Sequence, residues 1–362
     1  MALQCGIIGI TGSGKTSIFN CISNNKVVTE VFSNKHNVGT IQVPDNRLYD
    51  LEKLQPTERI VHATVTIVDI PGLVRSTGNN KSSGNRFLSE IRNTDALIHV
   101  VRCFDDPTVP HPDITVNPVR DIENVELELQ ARDLESVEKK ITHLEKLLKS
   151  GNKDAKRGIE VMQIYKAHLE SFKPARTIDL PEYDQRYADD IFLLSAKKMI
   201  YVANVDSASA VNGNHFSEKM TEYLAKQSAD ILIIAGKLEA EIAELENEDD
   251  RKMFLDDAGL LEPGVNKLLR TAYELLNLST FFTVGPKEIR AWTIHKGITA
   301  PQAAGVIHSD FERGFIRAEV IKYIDFVTLG GEHACKEKGK LYVEGKNYVI
   351  EDGDILNIRF NV

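Results

Sequence analysis

Nothing in the 362 residues approaches the roughly 18 consecutive apolar positions needed to span a bilayer. The opening Met1-Ala2-Leu3-Gln4 lacks the basic start of a secretory signal, so the chain reads as cytoplasmic. Cysteine is sparse: Cys5, Cys21, Cys103 and Cys335 show neither paired nor metal-like spacing, which excludes a disulfide framework and a zinc knuckle. They read as reduced, mostly buried thiols. Positive charge is also in deficit, with 44 Lys and Arg against 53 Asp and Glu for a formal charge of −9, which argues against a chain coated for general nucleic-acid binding. A content of 42% apolar and 27% charged residues is that of an ordinary globular chain, long enough for two or three domains.

What is present begins at Gly9-Ile10-Thr11-Gly12-Ser13-Gly14-Lys15-Thr16, which follows an apolar stretch ending at Ile8 and precedes the helix-like Ser17-Ile18-Phe19-Asn20. Strand, Gly-rich loop and helix in that order form a phosphate-binding loop. Its glycines let successive N–H groups face a polyphosphate, Lys15 reaches the same oxygens, and the Thr16 hydroxyl is placed for Mg²⁺. Val65-Thr66-Ile67-Val68 then reads as a strand delivering Asp69-Ile70-Pro71-Gly72, an Asp-x-x-Gly switch in which Asp69 holds Mg²⁺ through water and Gly72 N–H reports the γ-phosphate. Further apolar runs at Leu97–Val101, Ile200–Ala203 and Ile231–Ile234 are expected of parallel strands covered on both faces. The last two end at Asn204 and at Ala235-Gly236-Lys237, so each polar motif falls at the carboxyl end of a strand, where open α/β sheets bind ligands. This is the layout of a Ras-like P-loop NTPase.

Two departures bear on chemistry. Guanine-specific members of that class carry Asn-Lys-x-Asp at the fourth strand, whereas this chain has Asn204-Val205-Asp206-Ser207. Ser207 offers no bidentate acceptor for a guanine edge, while Asn204 beside a purine edge and Val205 over a ring face would suit adenine. The residue after Gly72 is Leu73, which cannot polarise the water that a Gln orients in many GTPases. His111, in the loop Asp106 to Asp113, is the candidate to replace it. A switch segment between the first two motifs, Thr29 to Thr40, offers Ser33 and Thr40 as alternative Mg²⁺ hydroxyls.

Between the third and fourth strands, Leu134, Val137, Ile141, Leu144 and Leu148 recur at spacings of three and four, a coiled-coil seam. After Ser150-Gly151-Asn152 the pattern resumes with Ala155, Ile159, Met162 and Leu169, which predicts an antiparallel helical hairpin. From about Ser279 the chain turns to a small α+β module. Its expected strands lie in 281–284, 290–294, 340–343, 347–350 and 355–360, with a helix opened by Thr299. Arg290, Lys296, Arg313, Arg317, Lys322, Lys336, Lys338 and Lys340 are its candidates for a basic face towards RNA.

With these residues in view the whole chain resembles the YchF/Obg-like ATPase family. The most specific stretches are Asp95 to Phe104, Ala300 to Asp310, Phe311 to Ile321 and Asp352 to Val362. The resemblance implies an α/β protein: a Ras-like P-loop NTPase domain (1–120 and 190–278), an inserted antiparallel α-helical coiled coil (121–189) and a C-terminal β-grasp, or TGS, domain (279–362). It further implies ATP preference, Mg²⁺, association with the ribosome and ribosomal RNA, and no membrane or specific DNA partner. Family members place an apolar residue where Leu73 stands and use a loop histidine matched by His111. Ser33 corresponds to their switch threonine. Against the family pattern, Gly12-Ser13 stands in place of Asn-Val, removing the Asn that helps bind K⁺ in related proteins. Pro71 replaces an Ala, Ser207 a Glu, and Ser76 to Gly84 a Gly-rich switch stretch.

The expected site is therefore Lys15 and His111 for catalysis, and Gly12, Ser13, Gly14, Lys15, Thr16, Ser17, Gly72, Asn204, Val205, Ala235 and Gly236 for the nucleotide. Thr16, Ser33 and Asp69 are expected to hold the metal. The expected function is a switch that slowly hydrolyses ATP on the ribosome. The alternatives are a relaxed or GTP-preferring GTPase, and a nucleotide-gated ribosome or RNA adaptor with negligible hydrolysis.

Overall fold

The computed structural model describes residues 3–23, 37–70, 88–225, 227, 229–245 and 247–361. Ser33, Pro71, Gly72, Leu73 and the stretch Ser76 to Gly84 lie outside the described residues. The chain divides into two compact units, residues 1–39 with 66–265, and residues 40–65 with 266–362. Sequence continuity places residues 40–65 with the first domain, but the structure groups them with the second.

In the first sheet the strands β1 (Gln4–Ile8), β4 (Thr64–Asp69), β5 (Ala96–Cys103), β6 (Lys198–Val205) and β7 (Asp230–Ile234) are parallel in the order β4-β1-β5-β6-β7, with β2 (Asn37–Gln42) at the β4 edge. All eight residues of β5 are buried, as a central strand covered by helices on both faces requires. Parallel registry aligns Val101 with Ala203 and Ala203 with Ile233, so the carboxyl ends of these strands open on one edge.

The inserted arm grows out of this core without a break. Helix α3 (Pro118–Lys149) begins with Asn117 as N-cap, its side chain accepting from Arg120 N, and with proline in the first turn. The boundary expected at 121 thus lies inside the helix. Its first half buries Ile122, Val125 and Leu129 in the core of the first unit. Its second half buries Val137, Ile141 and Leu144 against Ala155, Val161, Met162 and Leu169, all from α4 (Asp154–Glu170). Leu148 of the expected seam is 40% exposed, because it stands in the last turn before Ser150 and Gly151, whose φ of +96° reverses the chain.

Polar residues anchor the base of the arm. The buried Asp133 carboxylate accepts from Leu194 N (2.7 Å), Ser195 N (2.7 Å) and Ser195 Oγ (2.5 Å). Glu126 accepts from Arg176 Nη2 (2.5 Å) and Tyr201 OH (2.7 Å), and Arg176 also reaches Tyr201 OH at 3.1 Å. The helix is thereby tied to the segment that leads into β6.

In the second unit six strands run in the order β11-β10-β12-β8-β9-β3, where β3 is Ile60–Val61, β8 Leu278–Val284, β9 Ile289–His295, β10 Phe315–Lys322, β11 Tyr342–Glu344 and β12 Asp354–Phe360. The helix Ala300–Ile307 packs Ala300, Ala303 and Ala304 on Phe281, Phe315, Val320 and Leu356, the β-grasp arrangement. Residues 40–65 join this unit because Ile60 pairs with Ile289 and because Arg47 donates to both Asp45 and Asp352. The strand expected at 347–350 is a single bridge, Val349 to Thr299. The expected basic face is largely neutralised: Arg290 pairs with Glu288, Arg313 with Asp310, Arg317 with Glu319, Lys322 with Asp354 and Glu351, and Lys340 with Asp325. Among the described residues no helix is long and apolar enough to cross a membrane.

Asp133→Ala strands two buried backbone N–H groups and is expected to lower stability by about 3 kcal/mol, with Asp133→Asn losing about half of that. Denaturant unfolding midpoints measure the difference.

Candidate functional site

The turn from β1 into α1 (Lys15–Ser23) is shaped by three glycines with positive φ: Gly9 at +147°, Gly12 at +79° and Gly14 at +92°. Two of them also have no room for a side chain. A Cβ on Gly9 would stand 2.3 Å from the Val100 carbonyl, and one on Gly14 would stand 2.1 Å from Asn204 Nδ2. The loop is thus fitted to β5 and β6 as well as bent for a phosphate.

Asn204, 4% exposed at the end of β6, explains the second fit. Its Nδ2 donates to the Ser13 carbonyl at 2.9 Å, and its Oδ1 accepts from Gly236 N at 2.9 Å. One side-chain amide therefore ties the phosphate loop to the start of α6 (Gly236–Glu244). The sequence reading gives Asn204 to a purine edge; the geometry spends one proton and one lone pair of its amide on the backbone, so it acts first as a strut.

These elements surround a cleft of about 900 Å³ at the carboxyl ends of the strands. Gly12, Gly14, Lys15, Thr16 and Ser17 line it on the loop side, Asp69 on the switch side, and Asn204, Val205, Ser207 and Gly236 at the far end. Ser13 and Ala235 lie buried beneath it and are absent from its wall. Gly72 and Ser33, expected to complete the site, lie outside the described residues. Phe104, Asp106, Val109 and Lys237 also line the cleft. Their signal in the sequence is only that they follow the ends of strands.

Lys15 is almost fully buried, and its Nζ donates to the Ile10 carbonyl at 2.7 Å. Burial pushes the ammonium down to about 8, with the Asp69 carboxylate acting in the opposite sense. Beneath it His99 is wholly buried, and burial first, then the charges of Lys15 and Arg176, push its ring down to about 3. It is therefore a neutral ring under the loop. Thr16 Oγ1 donates to Asp69 Oδ2 at 3.1 Å, which brings together two of the three expected metal ligands. A hydroxyl and a carboxylate beside room for phosphate oxygens and water are the hard donors Mg²⁺ takes.

At the base end Asp206, next to Ser207 in the chain, is engaged locally. It accepts from Ser209 N and Oγ and from Asn214 Nδ2, capping the short helix Ser207–Ser209. Those bonds hold its carboxyl below the usual carboxylate range against the opposing effect of burial.

His111 is not on the wall of the cleft. Its ring accepts from Asp113 N at Nδ1 (3.0 Å) and bonds Asp121 through Nε2 (3.0 Å), with both His111 and Asp121 side chains 2% exposed. The loop before it is fixed by Arg102, which the sequence reading does not single out for the site. The Arg102 guanidinium donates to the carbonyls of Phe104 (3.2 Å), Asp106 (3.2 Å) and Val109 (2.8 Å) and lies over the Phe104 ring.

A Gly14→Ala chain is expected to displace Asn204 and weaken binding of a nucleoside triphosphate by at least about tenfold, read by calorimetry. A polyphosphate favours the charged form of Lys15, so binding above pH 8 takes up a proton and affinity falls as pH rises from 7 to 9. Calorimetry in two buffers of different ionisation enthalpy counts that proton.

A family model described as "50S ribosome-binding GTPase" matches residues 4–147, and a model of the YchF GTPase C-terminal part, described as a protein of unknown function, matches residues 278–361. The ribosome-binding ATPase YchF of Bacillus subtilis (strain 168) is 43% identical over 367 residues, covering 100% of both chains. That of Escherichia coli O157:H7 is 40% identical over 365 residues, again covering 100% of both. The solved structure of the Schizosaccharomyces pombe YchF GTPase has a TM-score of 0.87 at 31% identity, covering 99% of this chain and 97% of that one. With a phosphate loop, an inserted helical arm and a C-terminal β-grasp unit in one chain, and full-length identity of this order, the protein belongs to the YchF family.

Proposed function

We propose that this protein is an ATPase that binds the ribosome and uses ATP as a switch ligand in translation-related regulation. Its place would then be the cytoplasm, where ribosomes work. The observation that carries the reading is the cleft at the strand ends, with its glycine-fitted phosphate loop and buried Lys15 at one end. At the other end Val205 and Ser207 line the wall, and the nearby Asp206 carboxylate is committed to Ser209 and Asn214. Ser207 offers a guanine edge no bidentate acceptor and the adjacent Asp206 carboxylate is engaged, which supports adenine.

In this reading the phosphate-loop N–H groups and Lys15 bind and neutralise the β- and γ-phosphates. Thr16 and Asp69, with Ser33 as a further hydroxyl, would hold Mg²⁺, which when bound would supply neutralising charge to the phosphates. Asn204 and Val205 face the base. Gly72 N–H senses the γ-phosphate, and His111 orients the attacking water that Leu73 cannot polarise. The arm and the C-terminal unit are the surfaces offered to the ribosome and its RNA. Local ion pairing across the C-terminal unit favours contact through a few residues over a continuous basic stripe.

The test is ATP turnover at fixed Mg²⁺, with and without ribosomes. Slow turnover that ribosomes accelerate is expected, and ATP that persists in both conditions would replace the enzyme with a nucleotide-gated adaptor. His111→Ala should retain ATP binding while turnover falls about 100-fold; unchanged turnover would remove His111 from catalysis.

A further inference from the structure

His111 stands one residue from the phosphate loop yet faces away from it. The Pro110 carbonyl lies 3.3 Å from where a Gly12 Cβ would be, so the backbone just before the histidine rests against the loop. The ring itself is turned into the protein. The Asp113 N–H donates to Nδ1, which therefore carries the lone pair; the ring proton is on Nε2 and is donated to Asp121 Oδ2. Both nitrogens are used, and neither is left to orient a water.

The groups that hold the ring belong to the root of the arm. Asp121 is in the first turn of α3, the helix that continues into the hairpin. Arg120, beside it, donates to the Thr115 carbonyl at 2.5 Å and reaches Asp121 Oδ1 at 3.2 Å and Asp113 Oδ2 at 3.4 Å. One guanidinium thus clamps the turn that carries His111 and supplies the counter-charge to both carboxylates. The ligand atoms of His111, Asp113 and Asp121 lie within 4.8 Å of one another, and with Arg120 among them they form an ion-pair cluster. Within the same turn Ile114 has φ of +69° and is 92% exposed. A β-branched residue in the left-handed region persists only where surrounding contacts impose it. The turn is held by its clamps against a local preference to open.

We infer that Asp121 is a positioning residue that parks His111 outside the nucleotide cleft, and that release of this contact is a required step of hydrolysis. The inference rests on the reading of His111 as the water-orienting group. Because Asp121 belongs to α3, a partner that grips the arm and shifts the first turn of that helix breaks the contact. Docking and turnover are coupled through a single hydrogen bond to a carboxylate, a bond that shifts an equilibrium about tenfold or more.

The experiment compares single-turnover ATP hydrolysis, without ribosomes, by the full-length wild type, Asp121→Ala, His111→Ala and the double variant. Asp121→Ala is expected to raise the rate about tenfold with ATP affinity unchanged, and the double variant to be as slow as His111→Ala. Asp121→Asn, which keeps shape and one acceptor, should give a smaller rise and decides the matter if Asp121→Ala does not fold. A rate in Asp121→Ala at or below wild type, while His111→Ala is slow, would overturn the parking role and leave the catalytic one. Unchanged turnover in His111→Ala would overturn the catalytic reading, and the parking role with it. Histidine ¹⁵N spectra give the signature that a merely structural Asp121 would not move. In wild type Nδ1 is unprotonated and the Nε2 proton is protected; in Asp121→Ala that protection is lost while the remaining histidines keep their signals. Retained protection would contradict the assignment.

Discussion

Two hydrogen bonds from one side-chain amide set the geometry on which the nucleotide cleft depends. Asn204 spans from the phosphate loop to the first turn of α6, and the loop approaches so closely that position 14 has no space for a Cβ. Buried hydrogen bonds of this kind are individually worth about 1 kcal/mol, but leaving their partners unpaired costs more. The loop glycines, the end of β6 and the Ala235–Gly236 turn are therefore one mechanical unit. The register of the parallel strands delivers these pieces to the same edge, and the fully buried β5 holds that edge rigid.

Beside this unit lies a loop fixed from both sides by arginine. Arg102 gathers the carbonyls of 104, 106 and 109, and Arg120 gathers the turn from 113 to 115. The first clamp shapes the cleft wall through Phe104 and Val109, while the second belongs to α3. That helix is continuous from the domain core, where Ile122 and Val125 are buried, to the arm, where Val137 and Ile141 are buried. Helical continuity makes the arm an extension of the nucleotide unit, and the Asp133 and Glu126 networks keep its root from sliding.

The phosphate loop was legible in the sequence because each glycine answers a steric demand that no other residue meets. The strands were legible because double-sided burial leaves a nearly continuous apolar run, and the hairpin because its seam repeats. Residues 40–65 were not, since Ile60–Val61 is too short to carry a period and Arg47 finds Asp352 across more than three hundred residues. The buried acids of α3 were equally hidden. Asp121, Glu126 and Asp133 stand in a stretch rich in Glu and Lys that reads as a solvated face, and only their partners at 111, 176 and 195 reveal them as buried. Spacing brings His111 near the site in sequence but says nothing of which way its ring turns.

The central claim is that the cleft framed by Asn204, Val205 and Ser207 selects adenine. Calorimetric titration of the full-length protein with ATP and with GTP, at identical Mg²⁺ and salt, tests it most directly. Binding of ATP tighter than GTP by about tenfold or more is the predicted result. Equal or tighter binding of GTP would contradict the account and make this protein a GTPase.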